Sequence, residues 1–333
     1  MDCCENFILP VHFDPLVRCY RIHAYLINII KQSYDNFDQY IISNYLSLHN
    51  GKEGLRREYL DFHIKNNFIN MIDLFYDNGW FDVVQVHDLH KENYFQSKEI
   101  IDLIIYFTSK GYYLLQKINE EFLTHSAMYG ITSDNTVLIH GVDLKSRSFY
   151  ILDYKKNGRF CTSKISFNDY LKSTATVIVP NRINFIKAKE NLKWEFDYPN
   201  AKRLIKCYVD STNAYPDNES IKNNIFGYEA VERTIKALQT QGMSLIRIRA
   251  IKEHKDILLR YFEYITQHEW LDDTSYVDNY NVLCNQMNVA FLKILKKMVL
   301  GESNLCFKED IYTIEKINER ERVLLERYLT KYD

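Results

Sequence analysis

Two short apolar runs separated by a polar turn stand out in the stretch NTVLIHGVDLKSRSFYILDY, residues 135–154, and predict a β-hairpin. Thr136 to Ile139 form one strand and Asp143 to Ser148 the turn. Phe149 to Leu152 return and end on Asp153. Upstream, residues 1–14 read as extended. Asp14 and Pro15 form a helix-start signal, and Leu16, Tyr20, Ile27 and Ile30 recur at helical spacing to about Lys31. Residues 35–95 alternate short apolar and polar runs, with Asn78–Gly79 as the clearest turn. Gln96 to Ser109 predicts a helix, with Ile100, Leu103, Ile104 and Phe107 on one side and Gly111 as its stop. Tyr112 to Asn119 and Ala175 to Pro180 read as strands. A charged region at 187–196 leads to Pro199, which marks a boundary between domains at 1–198 and 199–333. Beyond it the period changes to three or four. Helices are expected over Glu229–Leu238, His254–Ile265, Val289–Leu300 and Ile311–Leu329. The pattern is that of an α+β fold: a helical layer on a mostly antiparallel sheet, followed by an α-helical domain or cap.

Composition narrows the chemistry. The chain has 333 residues, a formal net charge of −2 and a pI near 6.6, so no global charge draws it to nucleic acid or an anionic membrane surface. Its 26 Tyr and 19 Phe against 10 Gly and 5 Pro suggest an AT-rich coding sequence more than a binding signature. The cysteines at 3, 4, 19, 161, 207, 284 and 306 form no CxxC pair, which argues against a zinc site and a disulfide framework. A reducing, cytoplasmic setting follows, with no metal and no cofactor expected. No start resembles a signal peptide, and no window reaches the roughly 18 apolar residues of a membrane span.

Cys19 stands out because a thiol near a helix N-terminus meets the positive end of the helix dipole, which favours the thiolate. Arg18 beside it would act in the same direction. The plain alternative is a small buried residue packed beside Tyr20. His87 and His90 share the spacing of one helix face, but the further ligands of a metal site have no place in the pattern.

Three regions together resemble the butirosin-biosynthesis-H-like family, relatives of papain-like and C39-type cysteine peptidases found with specialised-metabolite assembly lines. The first is Pro10 followed by Cys19-Tyr20. The second is GYYLLQKIN with the hairpin NTVLIHGVD and FYILDY. The third is Phe226-Gly227-Tyr228 with Glu253-His254-Lys255 and the later Arg260. The resemblance implies a papain-like first domain and acyl transfer from a carrier-protein thioester to an amine. A thiolate would take the acyl group, a His would act as base and acid, and an Asp would orient the imidazole.

Carried over by position, Cys19 is the nucleophile and Asp153 the orienting acid, but the family's His falls on Asn135. An amide cannot accept and return a proton near neutral pH. Three histidines are candidates to replace it. His140 lies on the same strand, turned by alternation to the face opposite Asn135. His125 lies in the preceding loop. His23 follows Cys19 by four and would share its helix face. The expected partners are an acyl or peptidyl carrier protein and an amine acceptor, with a homodimer through the helical half. The other class is a binding protein, a degenerate homologue that keeps the cleft and holds a metabolite, peptide or carrier protein. A peptidase is disfavoured, because an unactivated amide needs the general acid most.

Overall fold

The computed structural model describes residues 6–34, 37–51, 59–64, 80–86, 97–155, 159–177, 183–190, 195–216, 223–302 and 304–332. The expected turn at Asn78–Gly79, the pair His87 and His90, and 178–180 of the expected strand lie outside them. In chain order the first elements are β1 (Asn6–Ile8), α1 (Arg21–Ser33), α2 (Phe37–Asn44), β2 (Leu48–Gly51), β3 (Tyr59–Phe62), β4 (Phe81–Val86), α3 (Ser97–Ser109), β5 (Tyr113–Asn119), β6 (Asp134–Asp143), β7 (Ser148–Tyr154) and β8 (Phe160–Ser166). There follow α4 (Phe167–Ala175), β9 (Ile183–Ala188), α5 (Tyr198–Val209), β10 (Ile225–Phe226), α6 (Gly227–Gln241), α7 (Leu245–Gln267), α8 (Ser275–Val299) and α9 (Lys308–Lys331). No helix among the described residues is long and apolar enough to cross a membrane.

The chain divides into two compact units. One comprises Met1–Pro15, Tyr20–Asp35 and Asn78–Leu192, the other Leu16–Cys19, Asn36–Asp77 and Lys193–Asp333. This differs from a single cut at 198/199, because 16–19 and 36–77 join the second unit. Pro199 is no linker: it sits in the first turn of α5, whose cap Asp197 accepts a hydrogen bond from the Asn200 N–H.

In the first unit an antiparallel sheet runs β4-β9-β5-β6-β7-β8, with β1 also on β6. The expected hairpin is its centre. Leu138 faces Leu152 and Ile139 faces Ile151, after which the register shifts and Gly141 faces Tyr150, leaving His140 as the bulged residue. At Gly141 a side chain would meet the Phe7 carbonyl at 2.7 Å, so only glycine lets β1 come this close. One face of the sheet packs under α3 and α4 through Ile100, Ile104, Leu114, Ile139, Phe149 and Tyr170. Helix α3 ends as expected, with Gly111 at φ +84° and the Tyr112 N–H returning to the Phe107 carbonyl. Two elements depart from expectation. Residues up to Ala175 form α4, because Ser166 caps it by accepting from the Asp169 N–H. Ile183–Ala188, which meets the expected charged region at 187–196 only in its last two residues, is strand β9, paired to β4 and β5.

The second unit is helical around a small antiparallel sheet, β10-β2-β3. Among the described residues its interior holds eight Tyr that are almost wholly buried: 40, 45, 208, 228, 261, 276, 280 and 328. Helix α7 is enclosed on all sides at Glu253, His254 and Lys255, each buried, so the triplet that carried part of the family resemblance is core. Lys255 Nζ lies 2.7 Å from Glu321 Oε2, with both side chains fully buried. The Tyr208 and Tyr228 hydroxyls each donate to that same oxygen at 3.2 Å.

Two buried histidines of this unit give stability a pH dependence. Burial pushes the His254 imidazole down to about 4. Burial, with His49 and Arg203 nearby, takes His63 down to about 3. In the unfolded chain both protonate near 6.5, so between pH 6.5 and about 3 the unfolded state binds more protons. Stability present above pH 6.5 is therefore lost as pH falls through that window. His63→Leu, which removes an imidazole whose two nitrogens have no hydrogen-bond partner, should flatten the loss by on the order of 1–3 kcal/mol in urea titrations at stepped pH.

Candidate functional site

In the first unit the end of the hairpin carries a buried network of charges. Asp153 closes β7 with no exposure to solvent. Its Oδ1 receives Arg21 Nη1 at 3.3 Å and the Tyr25 hydroxyl at 3.3 Å; the same hydroxyl lies 3.2 Å from the Thr136 carbonyl. Arg21 and Tyr25 are four apart on α1, one helix face, so a single turn supplies both. Arg21 Nη1 also binds Glu120 Oε1 at 2.8 Å, and Glu120 Oε2 faces Asn135 Nδ2 at 3.5 Å. Burial alone would lower the Arg21 guanidinium, but Asp153, Tyr25 and Glu120 hold it above its ordinary value. Burial, and after it the Asp153 charge, keeps the Tyr25 phenol protonated well beyond its usual range.

The remaining Asp153 oxygen, Oδ2, is buried without a hydrogen bond and faces His125 Nε2 at 3.9 Å. Ser163 Oγ lies 3.1 Å from that same nitrogen. A Ser/His/Asp relay needs its serine and its acid on opposite nitrogens, and here they share one. Nδ1 is the free nitrogen of His125, buried with no partner on a side chain 9 % exposed. Nε2 thus has its hydrogen bond with Ser163 Oγ and lies 3.9 Å from the carboxylate, while Nδ1 has none.

The other candidates have different surroundings. His140 is a core residue: Nδ1 meets the Leu9 carbonyl at 3.0 Å, Nε2 meets Thr162 Oγ1 at 3.2 Å, and burial lowers its pKa. His23 is wholly buried in α1, edge-on to Tyr20. Asn135 serves Glu120 and, through Oδ1, the Thr136 N–H.

Cys19 corrects the expected helix start. Tyr20 is extended, at φ −126° and ψ 141°, and α1 begins at Arg21, so Cys19 precedes the helix and shares no face with His23. The reason lies in the second unit, to which 16–19 belong. The Cys19 N–H donates to Glu253 Oε2 at 2.9 Å, and the thiol adds a hydrogen bond to the same carboxyl. Cys19 is 6 % exposed. Arg21, Tyr25, Glu120 and Glu253 carry these sites, yet no sequence pattern singled them out by role. The one usable signal was the four-residue spacing of Arg21 and Tyr25. No group of three or more His, Cys, Asp or Glu that could hold a metal ion occurs among the described residues.

Fold and site thus define an α+β protein of two units, with a carboxylate–imidazole pair buried in one and a thiol–carboxyl pair in the other. No family model matches the chain. Over 227 residues it is 22 % identical to a probable threonine–tRNA ligase, cytoplasmic, of Enterocytozoon bieneusi (strain H348), covering 65 % of this chain and 34 % of that protein. The chain spans about a third of the length of that curated relative.

Proposed function

We propose that the chain is a cysteine-dependent acyl or amide transferase of papain-like architecture, with Cys19 as nucleophile, acting on carrier-protein-bound thioesters. The observation that supports it most is the His125–Asp153 pair. It supplies an imidazole next to the expected orienting acid, although position 135 is Asn. In this reading the thiolate displaces the carrier thiol from the acyl carbonyl. The acyl-enzyme is then opened by an amine whose proton goes to a base. A thioester is already activated, so the general acid that amide cleavage needs is dispensable here.

The test is incubation with an acyl thioester of a carrier protein, followed by intact mass and peptide mapping. Wild type should gain one acyl group on Cys19, and Cys19→Ala none. His125→Ala should acylate but lose amide release by roughly 10²–10⁴-fold. An adduct on Cys161, which sits opposite Asp153 in the β7–β8 register, would move the nucleophile there. Unchanged labelling of Cys19→Ala overturns the proposal.

A second reading, a binding protein that has lost the chemistry, is favoured by the carboxyl against the Cys19 thiol, since a neighbouring negative charge opposes the thiolate. It predicts saturable binding of the carrier protein with no adduct on any cysteine.

A further inference from the structure

Glu253 is hydrogen-bonded to Cys19, and nothing in the acyl-transfer scheme uses it. Its side chain projects from α7, is 3 % exposed, and takes the Cys19 N–H on Oε2 at 2.9 Å together with a hydrogen bond from the thiol. Oε1 is buried with no hydrogen-bond partner. Both polar groups of Cys19 that acyl chemistry would use are therefore engaged by one carboxyl. The backbone N–H of a nucleophile is a natural donor to the oxyanion of a tetrahedral intermediate, and here a carboxylate oxygen already receives it. The sulfur proton is held by the same group.

We propose that Glu253 is the positioning residue that sets the protonation state of Cys19: the two groups hold a single proton between them, resting on sulfur, and the nucleophile is released when the carboxyl is neutralised or withdrawn. Two anions cannot share this buried space without cost, so thiol and carboxyl ionise as a coupled pair. Among the described residues, Arg249, one turn earlier on α7, and the Tyr45 phenol, which stays protonated through burial, face the pair, and the Arg18 backbone N–H donates to the carboxyl. Burial lifts the Glu253 carboxyl above its ordinary value, while the Arg18 and Cys19 hydrogen bonds and Arg249 pull it back. The balance leaves a carboxyl that can take up a proton more readily than an exposed one. The proposal rests on Cys19 being the nucleophile of the scheme above.

The experiment is the pH dependence of Cys19 alkylation by iodoacetamide, resolved by peptide mass spectrometry, with Cys161 of the same molecules as internal reference. Wild type should show a shallow two-step profile. Glu253→Gln, which keeps shape and removes the charge, should collapse it to one step at lower pH and raise the rate at pH 8 about tenfold, one pH unit being a factor of ten in thiolate. Glu253→Asp, which draws the carboxyl back from the sulfur, should fall between the two, and it serves as the reporter if Glu253→Gln does not fold by thermal melting. Superimposable Cys19 profiles in wild type and a folded variant overturn the proposal. A shifted profile in a protein that never takes an acyl group on Cys19 overturns the acyl-transfer reading and leaves the Glu253 assignment standing. An acyl adduct with unshifted profiles does the reverse.

Discussion

Replacing Lys255 by methionine should lower the unfolding free energy by about 3–5 kcal/mol, the cost of leaving a buried charge without its partner. Glu321 would keep two tyrosine hydroxyls on Oε2 but lose the ammonium paired with it, in a place with no access to water. Oε1 already lacks a hydrogen bond, so no spare donor can take over. Glu321→Gln alone strands the ammonium and should cost a similar amount. The double replacement Lys255→Met with Glu321→Met should recover much of the loss, because a buried pair repays its desolvation only in part. Urea unfolding of the four proteins closes a double-mutant cycle, and additive losses would show that the pair is not coupled.

The second large effect is expected at Arg21. Its guanidinium, 22 % exposed, is the cation placed against both Glu120 and Asp153, which are 1 % and 0 % exposed. Arg21→Met should destabilise by about 3 kcal/mol or more by leaving two carboxylates in low dielectric. Arg21→Lys should lose less, about 1–2 kcal/mol, since a point charge on a flexible stem can serve one carboxylate well but not both. Denaturant midpoints check the order wild type, Lys, Met.

The central hairpin was legible in the sequence because its strands combine β-branched and aromatic residues with a polar turn, a local signal that tertiary contacts reinforce. The C-terminal helices were legible for the same kind of reason: Ile311, Ile314, Ile317, Leu325 and Tyr328 repeat at helical spacing and are buried. β9 was hidden because INFIKA is short and enters a charged tract, and its place between β4 and β5 depends on partners about seventy to a hundred residues away. The premature helix start at Leu16 followed the Asp-Pro cap signal, which is real in isolation. It yields where the Cys19 N–H finds Glu253 instead of a helical carbonyl.

The sequence by itself determined the α+β class of the fold, since this follows from residue type and local period. What only the tertiary structure decided is which groups meet. The loop preceding β6 brings His125 to both Ser163 on β8 and Asp153 on β7, and 234 positions separate Cys19 from the carboxyl that holds it. Side-chain periodicity says which way a residue faces on its own element, but the partner across the fold is chosen by packing, burial and the requirement that enclosed charges find counterparts.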